Sequence, residues 1–319
     1  MGDIQEFQAI ILAGVGSRLS VLTEDLDKVP KALLPVANKP MLHYQLQWLE
    51  SAKITNIIVL AQNSARQKIN EFLYKTYELS SRQTKIELIC LDEAEGSADS
   101  LRHIKDKIKF DFIVLSSDLI IDIPAHTVLD TFRALRSTVT VLFSESSKAE
   151  RSEGRGNKDE DTSDYVGINH KKARLLYMAP KVDVDDDTFL SLHMALIKKF
   201  PVINFHTHLR DAHLYIFNRW VMDLIYSKKH ISSLKADLLP LLIECQYNKN
   251  LYEREGIDQF QPQSQSMTTA YLCSTTGTPD GMTIPPFMRT NTVSEHSSPN
   301  QLYRGMIGMN YSYDVLTKR

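Results

Sequence analysis

The sequence predicts an α/β fold of the Rossmann-like nucleotidyltransferase kind, a mostly parallel sheet with helices on both faces. Two features predict it: short, wholly apolar runs of strand length, and stretches of helical periodicity alternating with them through the first half of the 319-residue chain. A strand covered on both faces has no polar side, so it reads as a continuous apolar run. Residues 7–13 (FQAIILA) are the first such run and lead into a glycine-containing loop. Residues 41–52 place Leu42, Leu46 and Leu49 at helical spacing. Residues 56–61 and 85–91 supply the second and third strands. Residues 98–108 read as a helix with Leu101, Ile104 and Ile108 on one face, and residues 111–116 as the fourth strand. Pro124, tolerated in a first helical turn, opens a helix with Val128, Phe132 and Leu135 inward. Residues 138–144 are the fifth strand.

The text then changes. Residues 146–164 (SSKAERSEGRGNKDEDTSD) have no apolar periodicity and cannot bury a face, so a charged flexible insertion is expected there. Strands are expected at 165–169, 175–179, 202–209 and 212–217, and helices at 218–226 and 234–244. Beyond residue 246 the pattern weakens. The expected organisation is one domain over residues 1–245 and a poorly ordered tail over 246–319. No hexapeptide repeat of the β-helix type is visible.

Composition narrows the function classes. Hydrophobic residues make up 43% and charged ones 24%, which is globular, and a formal net charge of −2 provides no basic field for nucleic acid or an anionic membrane. The longest apolar runs are strand-sized, well short of a bilayer span. The N-terminus, MGDIQE, does not read as a signal peptide, and Glu6 spoils a myristoylation signal. Cys90, Cys245 and Cys273 lack metal-ligand spacing, and Cys90 reads as a small buried hydrophobe. A soluble cytosolic protein is expected.

The chemistry-bearing segment follows the first strand: Gly14-Val15-Gly16-Ser17-Arg18-Leu19. At the carboxyl end of a parallel strand, a glycine loop lets backbone N–H groups approach phosphate oxygens, and Arg18 suits phosphate. Downstream stand Pro30-Lys31-Ala32-Leu33-Leu34-Pro35-Val36 and Lys39-Pro40-Met41, then Gly96-Ser97-Ala98, then Val114-Leu115-Ser116-Ser117-Asp118, then Asp211-Ala212-His213-Leu214-Tyr215. In this order the motifs resemble the nucleotide-sugar pyrophosphorylases, over about the first 245 residues. The resemblance implies a nucleotide and phosphate site at Gly14, Gly16, Arg18, Lys31 and Gly96, with Asp118 as the Mg²⁺ ligand.

Several positions depart from that family. The glycine loop is one residue short, and Leu91 stands where the family has a base-reading glutamine. Ser117 and His213 replace glycines that lie against ligand. The late Trp-x-Asp-x-Gly-x-Pro segment with its second metal carboxylate is missing. In-line phosphoryl chemistry depends on placed cations and backbone donors, so these departures together imply a vestigial site with no catalytic residue and no obligatory cofactor. Arg18 and Lys31 leave residual nucleotide or Mg²⁺ binding open.

The particular spellings, FQAIILAG, PKALLPVANKPML, GSADSLRHI and LKADLLPLLIECQ among them, resemble the gamma subunits of translation initiation factor 2B. That resemblance implies a non-catalytic scaffold in a guanine-nucleotide exchange factor. Its implied partners are the epsilon subunit, the other subunits of the factor, and the GTPase initiation factor 2. It also implies a C-terminal left-handed β-helix, which the absence of hexapeptide repeats leaves unexpected here. The alternative is an active nucleotidyltransferase making a GDP-mannose-like nucleotide sugar. Three smaller constellations remain open. His206, His208, Asp211 and His213 could share a metal on a strand face. Asp122 either joins Asp118 at Mg²⁺ or caps the helix after Pro124. The acidic run 183–187 lacks the glycine and terminal glutamate of a calcium loop.

Overall fold

A computed structural model describes residues 6–14, 29–77, 84–92, 96–145, 164–169, 174–180, 190–261 and 309–310. Strand β1 (Phe7–Ala13) occupies the middle of the main sheet. It pairs in parallel with β4 (Asn56–Gln62) on one side and β6 (Asp111–Ser116) on the other, and β4 pairs in parallel with β5 (Lys85–Leu91). β11 (Leu209–Phe217) inserts antiparallel between β6 and β7 (Val139–Glu145), and the two-residue β12 (Met309–Asn310) lies beside β7. The mixed sheet therefore runs β12-β7-β11-β6-β1-β4-β5. The short β2 (Pro35–Val36) and β3 (Lys39–Pro40) form a hairpin. β8 (Asp164–Asn169), β9 (Arg174–Pro180) and β10 (Asn204–His206) form a second, antiparallel sheet.

Alternation along β1 explains the layers. Ala9, Ile11 and Ala13 face helices α1 (Met41–Ser51), α2 (Arg66–Phe72) and α4 (Ala125–Leu135), which contribute Leu42, Leu46, Ile69, Val128 and Phe132. Ile10 faces the opposite side, toward α3 (Ser97–Arg102), α6 (Trp220–Ser227), α7 (Leu239–Cys245) and Val166 and Ile168 of the small sheet. A third, smaller cluster packs Leu196 and Phe200, from α5 (Met194–Lys199) and its end, on Leu176 of β9. Burying both faces is what makes the inner strands largely apolar.

Several expectations are corrected. The helix expected over 98–108 stops at Arg102 and resumes as a tight turn at Lys105–Lys107. The tighter turn keeps Leu101, Ile104 and Ile108 all buried. The single strand expected at 202–209 is interrupted at residues 207–208, where the chain leaves the small sheet and joins the large one. Leu135, at the helix end before left-handed Arg136, is 44% exposed rather than inward. The helix at 234–244 begins as a wide π turn, Leu234–Leu238, because Pro240 has no N–H for the ladder. Of the charged insertion expected over 146–164, residues 146–163 lie outside the described residues, and Asp164 instead opens β8 as a buried residue. The packed fold also continues past residue 245. Helix α8 (Lys249–Glu255) and the turn Ile257–Gln259 place Leu251, Tyr252 and Ile257 in the same core as β1. Cys90 is partly buried and Cys245 buried, while Cys273 lies outside the described residues.

Arg102 ties the layers beneath α6. Its Nε donates to Ile225 O at 2.9 Å and its Nη2 to Lys228 O at 2.6 Å and to Ile231 O, while Nη1 pairs with Asp99. It thereby serves carbonyls in and just beyond the last turn of α6, of which Lys228 O also accepts from Ile231 N at 3.2 Å. Arg102→Ala removes the guanidinium donors from these acceptors and is expected to lower stability by about 3 kcal/mol in urea unfolding. Arg102→Lys is expected to recover less than half, because an ammonium cannot span three carbonyls in the guanidinium plane.

Candidate functional site

The carboxyl ends of β1, β4, β5 and β6 open on one edge of the sheet, where ligands bind in open α/β folds. Register pairs Leu12 with Ser116, so Gly14 and Asp118, each two residues on, leave neighbouring strands side by side. No described atom lies within 4 Å of a Cβ built on Gly14. Gly16 and Arg18 lie outside the described residues.

Lys31 and Asp118, 87 positions apart, are joined directly: Lys31 Nζ donates to Asp118 Oδ2 at 2.6 Å. The other carboxylate oxygen, Oδ1, accepts from the Ser116 hydroxyl. Burial works against the Asp118 charge, but these two hydrogen bonds and the Lys31 charge outweigh it, and the carboxyl is held below the usual aspartate range.

Both partners sit on anchored backbone. Lys31 begins a turn in which Leu33 N donates to Pro30 O at 2.8 Å, and Ala32 is buried beside it. The loop after β6 is held from behind by α1. Buried Gln45 donates through Nε2 to Ser116 O at 2.7 Å and to Leu119 O at 3.0 Å, and Trp48 donates to Ile123 O at 2.7 Å. Ser117 N donates to Leu12 O at 3.0 Å. Sequence reasoning missed Gln45, Trp48 and Ser116; a glutamine on the apolar stripe of an amphipathic helix was the available signal.

Gly96 is placed differently from Asp118. A Cβ there would stand 2.2 Å from Ser232 O, and the next turn is stitched to the same segment by Ala98 N to Ser232 O at 2.8 Å and Leu234 N to Ser97 Oγ at 2.9 Å. Close packing on residues 232–234 is thus sufficient reason for a glycine at this position.

The two positions where glycine was expected carry the marks of the exchange. His213 adopts φ of 53°, in the left-handed region, at a bulge between Asp211 and Tyr215. Its N–H donates to Asp211 Oδ1 at 2.9 Å, Tyr215 donates its hydroxyl to Asp211 Oδ2, and His213 Nδ1 lies 3.2 Å from the Tyr215 oxygen. Ser117 is buried, and its hydroxyl has no hydrogen-bond partner among the described residues. Deeper on the same side, buried Asp164 pairs with Lys235 at 2.9 Å. Burial pushes the Asp164 carboxyl up despite that lysine.

Mg²⁺ requires oxygen ligands and is commonly held by one or two carboxylates plus waters and phosphates. Here both oxygens of Asp118 already accept from internal donors, one of them a cation. Among the described residues no group of three or more His, Cys, Asp or Glu side chains is placed to hold a metal ion. Asp118 thus offers a metal no oxygen that is not already accepting from Lys31 or Ser116. His206 and His208 stack edge to face with centroids 5.4 Å apart, and His208 faces Glu145 at 3.6 Å, while His213 engages Tyr215; the strand histidines are not gathered into one metal set. Asp122 does not cap the helix after Pro124, whose N-terminus has no side-chain cap. Residues 183–187 lie outside the described residues.

Because the Asp118 carboxyl titrates lower in the folded chain than unfolded, its contribution is present at neutral pH and disappears as pH falls through the folded value. Asp118→Asn is expected to cost at most about 1 kcal/mol at pH 7, the pair being partly exposed. The difference from wild type should shrink to nothing in urea titrations well below about pH 4.

Residues 8–153 match the nucleotidyl transferase family. The gamma subunit of translation initiation factor eIF2B from Schizosaccharomyces pombe is 41% identical over 255 residues, covering 80% of this chain and 55% of that protein. The mannose-1-phosphate guanyltransferase of Candida albicans is 30% identical over 275 residues, covering 83% of this chain and 64% of the enzyme. The chain thus spans between half and two thirds of the length of these relatives. A Bacillus anthracis structure described as a glucose-1-phosphate thymidylyltransferase superposes with a TM-score of 0.52 at 18% identity, over 79% of this chain and 84% of that one, and shows the shared fold. Among the described residues no helix is long and apolar enough to cross a membrane. Residues 8–153 thus carry a nucleotidyl transferase domain, and over four fifths of its length the chain is similar to the translation initiation factor 2B gamma subunit of Schizosaccharomyces pombe.

Proposed function

We propose that the chain is a non-catalytic subunit of initiation factor 2B, the exchange factor that promotes GDP/GTP exchange on initiation factor 2, and that it works in the cytosol as a scaffold with the epsilon subunit. The observation that carries this reading is the state of Asp118. Asp118, the carboxylate that its motif marks for metal, is tied on both oxygens by Lys31 and Ser116, while the overall sequence stays nearer to the gamma subunit of Schizosaccharomyces pombe than to the guanyltransferase of Candida albicans. His213 adds to it: a side chain projects from left-handed backbone at the strand where the enzyme family has a glycine against its sugar. A scaffold needs the fold and its surface, and the two buried layers of the sheet supply the frame for both.

The similarity to mannose-1-phosphate guanyltransferases supports a second reading, an enzyme joining a sugar 1-phosphate to GTP. Assembly separates the two readings. Affinity capture of the tagged chain from cytosolic extract, read by mass spectrometry, is expected to recover the epsilon subunit, the remaining subunits of the factor and initiation factor 2. A folded chain recovered without any of them would contradict the scaffold reading.

A further inference from the structure

We propose that the Lys31 ammonium is a built-in replacement for the divalent cation at Asp118, so that the site is closed to divalent metal by an internal bond. The inference deepens the non-catalytic reading above and rests on it. It follows from three features of the geometry. First, the ammonium lies 2.6 Å from Asp118 Oδ2, the place a metal would need, and the Ser116 hydroxyl takes Oδ1. Second, the backbone on both sides of the bond is anchored. Lys31 sits in a backbone-bonded turn next to buried Ala32, and Asp118 sits in a loop pinned by Gln45, Trp48 and the Ser117 N–H. Third, the charge is already balanced. One carboxylate faces one ammonium, and among the described residues no group of three or more His, Cys, Asp or Glu side chains is placed to hold a metal ion. A dication reaching Asp118 would meet a fixed cation within a few ångströms in partly buried surroundings, where like charges repel far more than in water. The lysine stem is mostly buried, with a side-chain exposure of 17% against 42% for Asp118, so the ammonium is held against the carboxylate and not merely visiting it.

The bond can be removed without touching the carboxylate. Lys31→Met keeps the stem and deletes the charge, and Lys31→Gln keeps a polar end. Mn²⁺ is the probe, followed by the loss of its free-ion electron paramagnetic resonance signal on titration into the full chain. The wild type is expected to bind no Mn²⁺ in an Asp118-dependent manner at millimolar ion. Either lysine variant is expected to gain one site at least tenfold tighter than wild type, abolished by adding Asp118→Asn. Thermal unfolding monitored by circular dichroism selects whichever variant is folded. An Asp118-dependent Mn²⁺ site in the wild type would overturn the proposal, as would folded lysine variants that bind none. Such binding without pyrophosphate release from GTP would leave the non-catalytic reading standing, whereas turnover would overturn that reading as well.

Discussion

The loop from Ser116 to Ile123 is held by two side chains of one helix that reach its carbonyls from behind. Gln45 serves Ser116 and Leu119, and Trp48 serves Ile123, all at 2.7–3.0 Å. These donors are buried against the sheet, and leaving such carbonyls unpaired costs more than the bonds gain over water. The clamp therefore sets where Asp118 stands at the end of β6. Everything at the site edge depends on that position: the Lys31 bond, the approach of the Pro30–Leu34 turn, and the space above Gly14.

The same economy of polar ties runs through the opposite face. Arg102 closes the end of α6, Asp164 meets Lys235 across the small sheet, and Lys228 meets Glu255 at 2.9 Å to seat α8. Each tie joins elements far apart in sequence, and each lies at a helix or strand end, where backbone groups lack partners. Between them the two apolar layers provide the bulk of the stability. The result is a nucleotidyl transferase frame closed at its edges by pairs of polar side chains. At Asp118 this is plain: the groups that a ligand would engage are already engaged.

Much of the frame was legible in the residues. β1, β5 and β6 fall where their apolar runs were read, because packing against the layers leaves few polar residues inside them, Gln8 and Glu87 being the exceptions in β1 and β5. The change of sheet at residues 207–208 was hidden, since the apolar and polar pattern runs on across it while the backbone turns. The helix α8 was missed because only Leu251, Tyr252 and Ile257 carry it into the core, amid a polar stretch. At the site, Lys31 and Asp118 were legible through their motifs, but their mutual bond was not, since 87 positions separate them. Gly96 shows the opposite hazard. A glycine in a ligand-binding motif is here also required by the Ser232 carbonyl, so its presence says little about ligand. His213 was readable as a misfit, and its left-handed backbone is the physical form of that misfit.

The proposed retention of the fold without its chemistry is tested most directly by pyrophosphate release from GTP and mannose 1-phosphate in the presence of Mg²⁺, using the full chain. The account predicts no release above the protein-free rate, with the chain fully folded by circular dichroism. Mg²⁺-dependent release that collapses in Asp118→Asn and in Lys31→Met would contradict it.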